Sequence, residues 1–333
     1  MNKLHIYKDT KIFVACPANA ATGGPELLHQ LVHELSKLGF NAYMFYYNRV
    51  DNLNPINDIY KDYGNKFVDD IEDSSNNIFI TPEVKTTLIY DYENIQKVIW
   101  WLSIDNYYKQ FKSNNFFKKI VKQVLYKVGY FRVFNFEKDD YIFHFVQSEY
   151  ARQYLLKKGI GNIFFLSDYL NNIFIKKQLM RINNNKDDIV IYNPKKGVKF
   201  TKKLIEKLKN IKFIPIENMT REEVSELLSK AKVYIDFGNH PGKDRIPREA
   251  AISGCCVITG KDGSAKYYKD IAVLDEFKFD AIDKNLNKIV EKINSCFVNY
   301  EIEFEKFNPY RDVIINEQSK FIKETINIFG IFK

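Results

Sequence analysis

Cysteine is scarce in this chain and never paired at short spacing: Cys16, Cys255, Cys256 and Cys296 are all it has. Without a Cys-x-x-Cys pair or a zinc-like Cys/His spacing, a disulfide framework and a zinc module are both excluded. The Cys255-Cys256-Val257-Ile258 run reads instead as buried small hydrophobes. No stretch approaches the roughly 18 apolar residues of a membrane span, and MNKLHIYKDT lacks the apolar core of a secretion signal. A reducing, cytoplasmic location is therefore expected, with the inner face of a membrane within reach. The GxGxxG dinucleotide fingerprint and the GxxxxGK[ST] phosphate loop are missing too. Asp69-Asp70, Asp139-Asp140 and Asp187-Asp188 lie in polar stretches rather than as an Asp-x-Asp at a strand end, so no divalent ion is expected.

What is present points to a large α/β protein. At 333 residues the chain is long for one core and comfortable for two. Its formal charge of +8 fits an anionic partner such as nucleic acid, a membrane surface or a phosphorylated substrate, and equally the Lys- and Asn-rich bias of a low-GC genome. Strand-like runs alternate with helix-periodic segments, the pattern of βαβ units around parallel sheets. Strands are expected at 11–16, 41–47, 97–102 and 141–145. A helix over 25–38 carries Leu27, Leu28, Leu31, Leu35 and Leu38 on one face and ends at Gly39. After the polar stretch 180–188, suited to a linker, the grammar restarts: strands at 188–192, 212–216, 233–237 and 256–259, with helices over 199–209, from the Thr220/Glu223 capping box to 228, and from Arg248. Two α/β domains with a cleft between them is the simplest architecture.

Loops at the carboxyl ends of parallel strands form the binding edge of such sheets. The first, Pro17 to Glu26, carries Gly23 and Gly24, which allow positive φ and close backbone approach ahead of a helix. The second, Asn193-Pro194-Lys195-Lys196-Gly197, brings cations and a glycine to another strand-to-helix turn. The third is the richest: Gly238, His240, Gly242, Lys243, Asp244 and Arg245 follow a strand, then Pro247-Arg248-Glu249 opens a helix. A carboxylate there suits a ribose diol, and Lys243, Arg245 and Arg248 suit a diphosphate. Asp105, just past the Trp100-Trp101-Leu102 strand end, is the candidate general base for an acceptor hydroxyl if configuration inverts; with retention none is needed. His144 reads as a core histidine. The segment 107–134 is basic and aromatic without one acidic residue. It suits contact with anionic lipid, or simply a helix with aromatics inward and lysines outward; no nucleic-acid motif accompanies it.

These motifs resemble the GT-B glycosyltransferases, in particular glycosyltransferase family 4 and its bacterial polysaccharide relatives. The likeness rests on Thr22-Gly23-Gly24 with Leu38-Gly39-Phe40, on Pro194-Lys195-Lys196-Gly197, and on Pro247-Arg248-Glu249-Ala250-Ala251 through Gly254-Cys255-Cys256-Val257-Ile258. The resemblance implies two Rossmann-like domains facing each other across a cleft: 1–170 on the acceptor side, completed by a returning helix at 310–333, and 171–309 binding the nucleotide sugar. It implies that Glu249 binds the donor ribose, that Lys196 binds the donor phosphates, and that Gly23 and Gly24 face the donor or the acceptor; Lys243, Arg245 and Arg248 remain the further donor candidates read from the loop itself. It also implies a glycan or lipid-linked acceptor and cell-surface polysaccharide synthesis, without a metal. The family often carries a second glutamate eight positions before Glu249, where this chain has Pro241; His240, Lys243 and Asp244 are the candidates for its role. A nucleotide-sugar epimerase and a non-catalytic partner or glycan-binding protein are the competing expectations.

Overall fold

Among the described residues, seven strands build the first sheet: β1 (Lys11–Pro17), β2 (Asn41–Tyr47), β3 (Phe67–Val68), β4 (Ile78–Pro82), β5 (Gln96–Trp101), β6 (Ile142–Val146) and β7 (Ile163–Phe165). The computed structural model describes residues 3–50, 53–109, 134–136, 141–182 and 185–330, so most of the basic segment 107–134 lies outside the described residues. The strand order is β3-β2-β1-β4-β5-β6-β7 and every pairing is parallel. Central strands of a parallel sheet are covered on both faces, and β1, β4 and β6 accordingly read as unbroken buried runs. The Gly23–Lys37 helix crosses from β1 to β2, burying Leu27, Leu28, Leu31 and Leu35. Gly39, at φ 90°, then turns the chain into β2.

Among the described residues, four strands make the second sheet: β8 (Asp187–Tyr192), β9 (Lys212–Pro215), β10 (Ala231–Asp236) and β11 (Cys256–Thr259), in the parallel order β11-β10-β8-β9. The Val198–Lys207, Arg221–Lys230 and Arg245–Ile252 helices connect them. Thr220 and Glu223 form the expected reciprocal capping box. Cys255 and Cys256 are buried, and all four cysteines are free thiols.

The chain divides into two compact units, Met1–Asp168 with Ser319–Lys333, and Tyr169–Gln318. The polar stretch 180–188 falls within the second unit, between the Asn172–Arg181 helix and β8, so it does not join the two. The C-terminal helical segment is two helices, Asn308–Ile315 and Glu317–Phe329, interrupted at Asn316. The unit division falls inside the second of these. Among the described residues no helix is long and apolar enough to cross a membrane.

Candidate functional site

Three turns meet at the carboxyl edge of the second sheet: Asn193–Gly197 after β8, Phe237–Asp244 after β10, and Gly260–Ser264 after β11. Their crossings are too tight for side chains. Gly197 has φ 59°, and a Cβ there would stand 2.5 Å from the Phe237 carbonyl; a Cβ on Gly238 would stand 2.2 Å from Lys196 Cβ. On the other side a Cβ on Gly263 would come within 2.0 Å of the His240 oxygen, and Ser264 N donates to that same oxygen at 2.8 Å. The middle turn is thus gripped from both flanks, which fixes the polar side chains it carries.

Those side chains form a connected set. Lys196 Nζ pairs with the Asp244 carboxylate. His240, its side chain fully shielded from solvent, places Nδ1 2.8 Å from Asp244 Oδ2 and Nε2 3.8 Å from Asp236 Oδ1. Asp236 also accepts from the Tyr234 hydroxyl at 3.1 Å and from Gly238 N at 3.0 Å. Burial pushes the Asp244 carboxyl up, yet His240 and Lys196 together hold it below the usual carboxylate range. Asp236, His240 and Asp244 each bring one donor atom within 4.8 Å of the others, a set with the spacing of a cation site. The Lys196 ammonium already supplies a positive charge at Asp244, so the arrangement is an ion-paired cluster in its own right.

The Arg245–Ile252 helix starts three residues before the expected Arg248. Asp244 stands at its N-cap and Pro247 in its first turn, where no intrahelical partner for an N–H is required. This start puts Arg245 and Glu249 one turn apart: Arg245 Nε and Nη2 donate to Glu249 Oε1 at 3.2 and 3.0 Å, both side chains partly exposed. Lys243 and Arg248 go elsewhere. Both are buried, with Lys243 Nζ 2.7 Å and Arg248 Nη1 2.8 Å from the two oxygens of Glu317. Arg248 also donates to the Lys243 carbonyl at 3.1 Å and the Asp244 carbonyl at 3.3 Å. Expected as diphosphate contacts, these two cations instead shape the turn from within, because a buried guanidinium needs a carboxylate and carbonyls around it.

In the first unit the turns after β1, β4 and β5 adjoin one another. Gly23 and Gly24 are the first two residues of a helix and have no positive φ, so the conformational freedom expected of them is not used. A Cβ on Gly24 would make only ordinary contact with Leu102, at 3.7 Å. Asp105 is half-buried in the first turn of the Ile104–Lys109 helix and accepts from the Tyr150 hydroxyl at 3.2 Å. His144 is a core histidine: it accepts from the Trp101 indole at 3.0 Å, and burial lowers its pKa to about 3. Glu83, absent from the sequence expectations, is buried beside this edge. Its Oε2 accepts from Leu102 N at 3.0 Å, and burial raises its pKa to about 8.

Asp236 was legible as the one charge in the apolar run Val233–Phe237. Glu317 carries no local signal, since it reaches Arg248 across 69 positions of sequence.

Among solved structures the chain superposes on a glycosyltransferase involved in lipopolysaccharide biosynthesis, WaaG, with a TM-score of 0.58 at 12% identity, over 96% of this chain and 100% of that one. It superposes on the Anabaena HepE protein in complex with UDP-glucose with a TM-score of 0.57 at 10% identity, over 95% and 98%. The chain has the GT-B fold. In sequence it is similar to an alpha-1,6-glucosyltransferase of Actinobacillus pleuropneumoniae, 24% identical over 278 residues that span 80% of this chain and 77% of the relative. No family model matches.

Proposed function

We propose that this GT-B protein is a glycosyltransferase that moves glucose from UDP-glucose to a growing glycan or lipid-linked glycan of the cell surface. The observation that carries the reading is the gathering of Lys196, Asp244, Arg245 and Glu249 at the carboxyl edge of the second sheet, where this fold class binds ligands. The glucosyltransferase relative and the UDP-glucose complex of HepE support the choice of donor.

In this reading Glu249 takes the ribose hydroxyls, steadied by Arg245, and Lys196 takes the diphosphate. Cleavage of the bond between glucose C1 and the phosphate oxygen leaves UDP, whose developing charge Lys196 and Arg245 stabilise; the acceptor oxygen forms the new bond to C1 and its proton leaves. Asp105 is the proposed recipient of that proton if the course is inverting. Lys243 and Arg248 act through the shape of the turn. With cations supplied by side chains, the reaction runs without a metal. The protein works in the cytoplasm at the membrane's inner face, the segment 107–134 making the lipid contact.

Thermal unfolding with UDP, GDP, dTDP and CMP, with and without EDTA, tests the donor site. A ligand at about one hundred times its dissociation constant adds roughly 2.7 kcal/mol of stability. Stabilisation by UDP that survives EDTA and disappears in Glu249→Ala is expected; no response to any nucleotide would count against the reading and favour a non-catalytic role.

A further inference from the structure

The stretch 195–212 carries eight lysines and one acid, Glu206, so it alone holds nearly all of the chain's net charge of +8. The Val198–Lys207 helix turns Phe200, Thr201 and Leu204 into the core, and Leu208 is buried just past its end. The helical period leaves Lys199, Lys202, Lys203, Glu206 and Lys207 on the opposite face, and all five are exposed. Lys195 ahead of the helix, Lys209 behind it and Lys212 at the start of β9 are exposed as well, and β9 is an edge strand. The cations therefore cover a helix face and the strand edge that follows it.

Little of this charge is neutralised nearby. Lys196 pairs with Asp244 and Lys203 with Asp283, while Lys207 donates to the neutral Asn287 at 3.1 Å. The Leu286–Val298 helix packs against this one. It and the turn before it, 280–291, bring Asp280, Asp283 and Glu291 against Lys284 and Lys288, which lowers the balance by a single charge.

The side chains also select among anionic partners. Every cation in the stretch is lysine, so no guanidinium fork offers bidentate recognition of a particular phosphate. Its one aromatic, Phe200, is buried, so a nucleic-acid base finds no stacking surface. No large apolar side chain in it is exposed, so nothing is available to enter hydrocarbon. A broad, polar, lysine-only face fits long-range attraction to a plane of negative headgroups.

We propose that the outward face of the Val198–Lys207 helix, with Lys195, Lys209 and Lys212, adsorbs to the anionic headgroups of a phospholipid bilayer without inserting into it. This surface is separate from the segment 107–134. It is also independent of the donor-site reading, since Lys196 is the one lysine of the stretch that belongs to the donor site.

Flotation of the full-length protein with phosphatidylcholine vesicles, plain or containing about one-third phosphatidylglycerol, tests this. Three proteins are compared: the unmodified chain, a triple variant with Lys199→Gln, Lys202→Gln and Lys207→Gln, and its counterpart with arginine at the same positions. Binding should require phosphatidylglycerol and fall steeply from about 0.1 to 1 M KCl, as the screening length shortens from about 10 to 3 Å. The glutamine variant should bind about fivefold more weakly per lysine removed, roughly a hundredfold in all, and the arginine variant should bind like the unmodified chain. Undiminished binding of the glutamine variant would overturn the proposal, because any lipid contact would then be made elsewhere. Equal binding to plain vesicles would overturn it by showing insertion of apolar groups. Retention on heparin without any vesicle binding would overturn it in favour of a soluble polyanion. UDP-glucose affinity should be the same in all three proteins; its absence from all three would count against the donor site alone.

Discussion

Arg248 Nη1 and Glu317 Oε2 stand 2.8 Å apart with both side chains shut away from water, linking the first turn of one helix to the first turn of another across 69 positions. Breaking a buried pair from one side leaves an uncompensated charge, at a cost of about 3 to 5 kcal/mol. Glu317→Ala strands two cations, Arg248 and Lys243, so it should lie at the upper end of that range in denaturant unfolding. A loss below about 1 kcal/mol would show that these charges are not buried together.

Gly24 and Gly238 should respond in opposite ways to alanine. Gly24 is helical with room for a methyl group, so Gly24→Ala should be neutral or stabilising by up to about 1 kcal/mol. Gly238→Ala drives a Cβ into Lys196 Cβ and should cost about 1 to 3 kcal/mol. Thermal or denaturant midpoints of the two variants check the contrast.

Glu83 makes stability fall with rising pH. Its folded pKa, about 8, lies above the ordinary value of 4.5 because burial disfavours the charged form, against the bonds from backbone N–H groups that favour it. Between those values the folded chain keeps a proton that the unfolded chain has lost. The contribution is complete below pH 4.5 and shrinks, by at most about 1.4 kcal/mol per pH unit, as pH rises to 8. Comparison of unfolding free energy from pH 5 to 8 in the unmodified protein and Glu83→Gln should give a flatter profile for the variant; parallel profiles would contradict the assignment.

Glu249→Ala and Lys196→Ala should each lower kcat/KM for UDP-glucose by about ten- to 150-fold, as loss of a charge-assisted hydrogen bond does. Acceptor KM should change little, and EDTA should have no effect on the unmodified protein. Steady-state kinetics with both substrates varied checks this.

Most of the fold was readable because buried parallel strands announce themselves. The runs at 41–47 and 256–259 coincide with β2 and β11, and the 25–38 helix is displaced by only a residue or two. β4 has no clear sequence signal although all five of its residues are buried, because Ile78–Pro82 is short and lies among turn residues. The turns bearing Lys196 and Asp244, and the helix start bearing Glu249, were also visible as polar segments following strands. Which charges face a ligand was not, since that depends on remote partners: Lys243 and Arg248 look like surface cations until Glu317 arrives from the far end of the unit. Gly23 and Gly24 misled for the opposite reason. Glycines at the start of a helix look in sequence like glycines of a strained turn.

In the proposed reading the carboxyl edge of the second sheet holds a nucleotide sugar through Lys196 and Glu249. Titration calorimetry of UDP-glucose in the presence of EDTA, with the unmodified protein, Lys196→Ala and Glu249→Ala, addresses it directly. The expected result is saturable metal-independent binding, weakened at least tenfold in each variant while their unfolding midpoints stay near that of the unmodified protein. Unchanged affinity in both variants would contradict it.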